Sequence, residues 1–136
     1  MNPVTQRPES LSEIAEHADS IEAWGLALGD LLDEIGFRRR RGLPLASCLQ
    51  AAPPLLRGRF AQGELADAFA AALAEQLAAE HLQEPAPAWT RERERFLKSP
   101  WFADESPKLR EYLRANTPAA FRQHGVYIDA ISLSRA

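Results

Sequence analysis

The chain has few of the residues on which metal and thiol chemistry depend. Its 136 residues include one cysteine, Cys48, and three histidines, His17, His81 and His124. One cysteine cannot form an intramolecular disulfide, and a structural zinc site uses four protein ligands, mostly cysteine and histidine. Glu13 and His17 share a helix face, but two ligands make a weak site. We therefore predict no disulfide framework and no metal site.

The sequence also lacks the patterns that mark common catalytic and nucleotide-binding sites. Its seven glycines are scattered, and they match neither GxGxxG nor GxxxxGK. No GxSxG sequence presents a serine nucleophile. Cys48 lies in an apolar segment, where a free cysteine packs as a small hydrophobic side chain. We therefore predict a non-enzymatic protein with no catalytic residue and no cofactor.

Long apolar runs and a strong charge of one sign are missing as well. No stretch approaches the roughly 18 consecutive apolar residues of a membrane-spanning helix, and the first ten residues do not resemble a secretory signal. The net charge is −3, with 16 Lys+Arg against 19 Asp+Glu, unlike the basic balance of an autonomous nucleic-acid-binding domain. We expect a cytoplasmic bacterial protein that does not bind membranes.

The first half of the chain is a flexible tail followed by two capped helices. Residues 1–9 form the predicted tail, and Ser10 with Glu13 forms a capping box that opens a helix over 11–18. The single predicted domain spans 10–136.

A second helix follows Asp19 or Ser20, either of which can cap it, and its apolar residues recur at helical spacing. Gly36 stands where a left-handed C-terminal cap would end it. The arginines that follow then read as a charged connector.

The middle of the chain predicts one long helix over 63–82, because alanine and glutamate have high helix propensity. Small residues beside its leucine ridge let neighbouring helices approach closely, which makes this the central packing helix. A loop over 53–62 precedes it. The proline-rich residues 83–88 follow it, and they are the one place where a subdomain joint could be argued.

Caps and prolines predict further short helices in the last third. Thr90 can cap one, and Ser106-Pro107 and Thr117-Pro118 each combine a cap with proline at the first helical position. The only β-rich run, 126–128, is too short to build a sheet alone. The sequence therefore predicts an all-α bundle of five to seven mostly short helices around one long helix.

The densest charge in the chain is a run of four arginines, Arg38, Arg39, Arg40 and Arg41. As an alternative function, they could bind nucleic-acid phosphates, because clustered guanidinium groups release condensed counterions. They could equally lie at a helix end, where positive charge complements the C-terminal dipole. We favour the structural interpretation.

Four aromatic side chains cluster between prolines, at Trp89, Phe96, Trp101 and Phe102. We expect Trp89 and Phe96 to pack in a satellite core against the long helix. For Trp101 and Phe102 the sequence leaves open whether they pack in the core or anchor a protein interface, where aromatic residues and arginine are enriched.

These aromatics belong to an ordered series of short motifs in the second half of the chain. The motifs are Pro87-Ala88-Trp89-Thr90, Arg95-Phe96-Leu97, Pro100-Trp101-Phe102, Leu109-Arg110, Thr117-Pro118-Ala119-Ala120-Phe121-Arg122, Gly125-Val126-Tyr127-Ile128 and Leu133-Ser134-Arg135-Ala136. In them, over residues 65–136, the chain resembles a family of small bacterial proteins encoded beside AbiEii-type nucleotidyltransferases. That family is similar to the antitoxin half of type II toxin–antitoxin pairs.

The resemblance implies a protein that binds and neutralises a cognate nucleotidyltransferase-type toxin by covering its active cleft. Within the matching motifs, we expect Trp101, Phe102 and Arg122 to contact the toxin. Relatives often carry an N-terminal helix-turn-helix domain that binds DNA, and we expect none before Ser10. The resemblance thus implies partner binding rather than DNA binding.

Overall fold

A computed structural model describes residues 7–136, and within them nearly all regular structure is helical. Residues 1–6, which belong to the predicted tail, lie outside the described residues. The α-helices are α1 (Leu11–His17), α2 (Ile21–Arg40), α3 (Ala46–Leu49), α4 (Gly63–Leu77), α5 (Pro107–Asn116) and α6 (Ala119–Gln123). The predicted all-α class is confirmed. No helix among the described residues is long and apolar enough to cross a membrane.

The first two helices begin at the predicted serine caps. The Ser10 hydroxyl accepts a hydrogen bond from the Glu13 amide at 3.0 Å, and the Ser20 hydroxyl accepts one from the Ala23 amide at 3.0 Å. The Glu13 carboxylate accepts from the amide of Glu9 rather than from that of Ser10. Only half of the predicted capping box therefore forms.

The predicted end of α2 at Gly36 is wrong, because the helix continues to Arg40. A Cβ atom at Gly36 would lie 2.1 Å from the Arg135 carbonyl oxygen, so this glycine lets the C-terminal segment cross the helix. The left-handed turn is made by Gly42, with φ of 68°. The run read as a charged connector is thus the last turn of α2.

Helix α4 occupies the centre of the fold, as predicted. The predicted helix over 63–82 forms, with its final turn, Ala78–Leu82, wound as π-helix. Phe69 meets Trp24 and Phe121 edge to face, with ring centroids 5.7 and 5.1 Å apart. Side chains from the first helices and the last third of the chain therefore pack on the same helix.

Two predicted caps in the last third are wrong, because their hydroxyl groups donate to backbone carbonyls instead of accepting from a first-turn amide. Thr90 lies inside a 3₁₀ turn, Ala88–Arg91, and donates to the Pro87 carbonyl at 2.9 Å. Thr117 donates to the Ile128 carbonyl at 3.0 Å, and α6 begins without a side-chain cap. The Ser106 cap of α5 is confirmed, since its hydroxyl accepts from the Leu109 amide.

The β-rich run finds a partner across two helices. Strands β1 (Trp101–Phe102) and β2 (Val126–Tyr127) pair in parallel, with Trp101 opposite Val126 and Phe102 opposite Tyr127. Helices α5 and α6 form the connection between them. The pairing fixes the segment before β1 against the end of α6.

Candidate functional site

A carboxylate buried on α4 organises the site. Asp67 is 1% exposed, and its two oxygens accept the backbone amides of Leu56 and Arg57 at 2.7 and 3.1 Å. Burial raises the pKa of this carboxyl, while the two amides and Arg95 act in the opposite direction. A group that is costly to bury thereby attaches the 53–62 loop to the central helix.

Arg95 attaches the same loop from the other side. Its Nη2 donates to the Pro53 carbonyl at 2.6 Å, and its Nη1 lies 3.9 Å from an Asp67 oxygen. The guanidinium also lies over the Trp89 ring, 4.8 Å from its centroid. The Trp89 indole in turn donates to the Leu49 carbonyl at 3.0 Å. The residues after the 83–88 connection therefore pack back onto the first half of the chain.

A buried histidine holds the segment that leads into β1. His124 is fully buried, with Nδ1 2.7 Å from the Arg95 carbonyl and Nε2 2.8 Å from the Glu75 carboxylate. Phe96 stacks on the imidazole with centroids 4.2 Å apart. The backbone amide of Leu97 donates to the His124 carbonyl at 3.1 Å. Residues 95–97 are thus bound to both α4 and α6.

Between these two anchored segments lies an open cleft of about 690 Å³. The 57–62 loop and the first turn of α4 form one wall, and residues 97–101 form the other. We call it the Trp101 cleft, and it is lined by Arg57, Gly58, Gln62, Glu64, Leu65, Leu97, Lys98, Ser99, Pro100 and Trp101. Its position follows from the buried Asp67, Arg95 and His124.

The lining of the Trp101 cleft combines cations, a carboxylate and an aromatic ring. Arg57, Lys98 and Glu64 are exposed, whereas Trp101 is half-buried. Among residues 7–136, no carboxylate forms an ion pair with Arg57 or Lys98, and residues 1–6 contain no Asp or Glu. The cleft therefore carries two cations without a close ion pair, together with one carboxylate and an indole.

Two of the lining residues have backbone conformations that side chains disfavour. Gly58 has φ of 80° and Gln62 has φ of 66°. Neighbouring Gly63 is required, because a Cβ there would lie 2.0 Å from the Leu56 carbonyl oxygen. A non-glycine residue at positive φ carries strain that the surrounding structure must hold in place, and such strain concentrates at functional sites.

The structure separates the three predicted contact residues. Trp101 lines the cleft, but Phe102 does not; it is 7% exposed and stacks on Tyr127 with ring centroids 4.6 Å apart. Arg122 is exposed on α6. Phe102 therefore offers little surface of its own and supports the side chains that cover it.

Those side chains come from α5. The guanidinium groups of Arg110 and Arg114 lie 5.0 and 5.1 Å from the centroid of the Phe102 ring. Leu109 and Tyr112 are 45% and 46% exposed, and only Leu113 of this helix is buried. We give the name α5 surface to the exposed residues Lys108, Leu109, Tyr112 and Arg114 together with the half-buried Arg110.

The four arginines at the end of α2 are largely engaged within the protein. Arg38 donates to Glu34 at 2.9 Å, a hydrogen bond that raises the pKa of Arg38, and it also contacts Glu9 at 3.4 Å. Arg39 donates to the Ala136 carbonyl, and Arg41 lies over the Phe37 ring. Arg40 is exposed. These contacts agree with the structural interpretation of the cluster.

The described part of the chain shows neither a cluster of metal ligands nor an exposed thiol. Residues 7–136 contain no group of three or more His, Cys, Asp or Glu side chains arranged to hold a metal ion. Cys48 is buried, and burial raises the pKa of its thiol. A thiol that resists ionisation is a poor nucleophile.

Comparison with known proteins does not assign the chain to a group: no family model matches it, and neither a curated protein nor a solved structure matches it.

Sequence reasoning singled out Trp101, as a contact to the toxin. It did not single out the other cleft residues Arg57, Gln62 and Lys98, nor did it predict that Asp67, Arg95 and His124 are buried behind them. One signal was available, since Asp67 is a single acidic residue inside an alanine-rich run of α4. Such a residue is either exposed or holds buried donors. Only the packing of the 53–62 loop decides between the two.

Proposed function

We propose that this chain is a bacterial antitoxin that binds a cognate nucleotidyltransferase-type toxin in the cytoplasm and neutralises it without catalysis. The resemblance of the second half of the chain to antitoxin-like proteins motivates the proposal. The observation that carries it is the α5 surface, where two half-exposed apolar side chains lie among three cations.

The composition of the α5 surface suits a protein partner. Tyrosine and arginine are enriched at protein interfaces. They are also frequent among the few interface residues whose truncation to alanine weakens binding most. Leu109 and Tyr112 provide the apolar contact, while the Phe102 ring lies under the guanidinium groups of Arg110 and Arg114 and restrains them. Arginines that are already ordered lose less conformational entropy on binding.

The charge of the surface specifies the partner's chemistry. Helix α5 carries Lys108, Arg110 and Arg114 against Glu111 alone, so it complements an acidic patch. Arg122 on α6 adds a further exposed cation and stays a predicted contact. The toxin surface should therefore present carboxylates around an apolar pocket, close enough to its active cleft for the bound helix to block access.

Co-expression with the protein encoded by the adjacent gene tests the proposal. We expect a stable complex and relief of growth inhibition. Tyr112→Asp and Leu109→Asp should each weaken the complex at least tenfold, because each places a carboxylate in an apolar contact facing acidic groups. Binding is measured by calorimetry on the purified proteins, and thermal unfolding checks that each variant folds.

Leu26→Asp is the matched control, because Leu26 is 77% exposed on α2 and lies outside the α5 surface. It should leave affinity and rescue unchanged. Failure to form any complex, or a complex that tolerates both α5 variants, would contradict the proposal.

A further inference from the structure

We infer that the Trp101 cleft binds a nucleoside phosphate. This inference goes beyond the proposed function, because the α5 surface and the cleft share no residue. It depends on the lining, the volume and the anchoring of the cleft, each of which points to a small charged ligand with an aromatic ring.

The two cations suit the phosphate groups. Arg57 lies on the loop wall and Lys98 on the opposite wall. Within residues 7–136 neither forms an ion pair, although burial raises the pKa of Asp67 and the charge of Arg57 helps to lower it. Guanidinium and ammonium groups form strong charge-assisted hydrogen bonds with phosphate oxygens. A di- or triphosphate is long enough to bind two cations on facing walls at the same time. A single carboxylate is shorter and carries less charge.

Trp101 suits the base. An exposed aromatic face stacks on a nucleobase with an energy of about 1–3 kcal/mol, and this contact is tolerant of base identity. Half of the cleft lining is apolar or small, including Leu65, Leu97 and Pro100 beside the indole. The site would therefore favour an aromatic anion over phosphate alone.

Glu64 adds a carboxylate, which can accept hydrogen bonds, to the lining of the cleft. It lies in the first turn of α4, is exposed and forms no ion pair within residues 7–136. A carboxylate beside a phosphate site is unfavourable unless it accepts hydrogen bonds. The ribose hydroxyls of a nucleotide supply such donors, as they do for acidic residues in dinucleotide-binding folds.

The volume and the rigidity of the cleft agree with this ligand. Its volume of about 690 Å³ lies within the range of about 300–1,000 Å³ that is usual for small-molecule sites. Asp67 and Arg95 hold the loop that bears Arg57, and the Trp101 amide donates to the Gly125 carbonyl at 2.9 Å. Both walls are thus held in place before a ligand binds, which reduces the entropy lost on binding.

Titration of the purified full chain with ATP, followed by tryptophan fluorescence and calorimetry, tests the inference. Trp24 and Trp89 are buried, at 4% and 7% exposed, so the signal should come from Trp101. We expect saturable binding with a change in fluorescence that Trp101→Phe abolishes while it retains most of the affinity. Arg57→Ala and Lys98→Ala should each weaken binding about tenfold, as expected for loss of one charge-assisted hydrogen bond.

The chain offers a close control for each cation. Lys108 is the only other lysine, and Arg59 lies two residues from Arg57 without lining the cleft. Lys108→Ala and Arg59→Ala should leave ATP affinity unchanged, although Lys108→Ala can weaken the toxin complex. Thermal unfolding of the four alanine variants separates loss of binding from loss of fold.

Adenosine and inorganic triphosphate, used as separate ligands, distinguish a nucleotide site from a general anion site. Each should bind at least tenfold more weakly than ATP, because each satisfies only one half of the cleft. No saturable binding of ATP at millimolar concentration overturns the inference. Equal binding of inorganic triphosphate, or equal weakening by the control variants, also overturns it. None of these outcomes depends on whether a toxin complex forms.

Discussion

In α4, eleven of the 15 residues are buried, whereas in α5 only Leu113 of ten residues is. Both helices carry apolar residues at helical spacing. In α4 the remaining positions are mostly alanine, so neighbouring segments approach it from several sides. In α5 the remaining positions are charged or half exposed, its one buried residue is Leu113, and two of its arginines cover Phe102.

The contrast shows that apolar spacing indicates which side of a helix can be buried but not what buries it. For α4 the answer lies within the chain, including the loop held by Asp67. For α5, Leu109 and Tyr112 remain 45% and 46% exposed, and exposed apolar groups rimmed by charge are typical of interaction sites. The helix that is buried on most sides and the helix proposed to bind a partner are therefore different ones.

Replacing Asp67 should produce the largest loss of stability. Asp67→Ala removes the acceptor of the Leu56 and Arg57 amides and leaves Arg95 without its buried partner. Loss of one partner of a buried ionic group costs about 3–5 kcal/mol. Urea unfolding measures the change in the free energy of unfolding.

Asp30→Ala is the control for that variant, because Asp30 is exposed on α2. Substitutions at such positions usually change stability by less than about 0.5 kcal/mol. If the two aspartate variants lost the same stability, the structural role given to Asp67 and its hydrogen bonds to the 53–62 loop would be wrong.

Truncation of Leu113 should have a smaller and more local effect. Leu113 is 4% exposed, and Leu→Ala at buried sites costs about 2–5 kcal/mol. We expect about 2 kcal/mol, since α5 can settle toward the core from its open side. Hydrogen exchange should show the amides of α5 opening before those of α4.

Leu109→Ala, on the same helix but 45% exposed, should change stability by less than about 0.5 kcal/mol. A cost at Leu113 as great as at Asp67, with α4 amides opening at the same time, would contradict the separation between the two helices.

The smallest expected effect is a change in pH dependence. Burial raises the pKa of Asp67 from its ordinary value of 3.8, so the folded state binds this proton more tightly than the unfolded chain does. The free energy of unfolding therefore falls as the pH rises from 3.8 through the raised pKa. Asp67→Asn lacks this contribution. The free energy of unfolding of both proteins is measured by urea unfolding between about pH 4 and 7. We expect the value for the wild type minus that for Asp67→Asn to fall as the pH rises. A difference that grew with pH would show that the pKa of Asp67 is lowered rather than raised.

Much of the helical architecture could be predicted because its signals are local. The serine caps at Ser10, Ser20 and Ser106 depend on residues within one turn, and all three form.

The error at Thr90 is local, since its hydroxyl donates to the carbonyl of Pro87, three residues earlier, instead of capping a helix. The errors at Gly36 and Thr117 have a different cause, because Gly36 faces the C-terminal segment and Thr117 donates to the Ile128 carbonyl. No local pattern records such contacts.

The site was less predictable than the fold for the same reason. Trp101 stood out as an aromatic residue, but Arg57 and Lys98 resemble many other exposed cations of the chain. The run Arg38–Arg41 looked more distinctive, and most of it is engaged within the protein. Charge density along the sequence was therefore a poor guide to which cations remain free.

By itself, the sequence determined the all-α class, the caps of three helices and the central position of α4, because helix propensity, capping and apolar spacing act over a few residues. Only the tertiary structure decided that Asp67 and Arg95 are buried together, that Phe102 lies under the α5 arginines and that Trp101 faces a cleft with Arg57 and Lys98. These arrangements join segments tens of residues apart, and their stability depends on burial and pairing that exist only after the chain has folded.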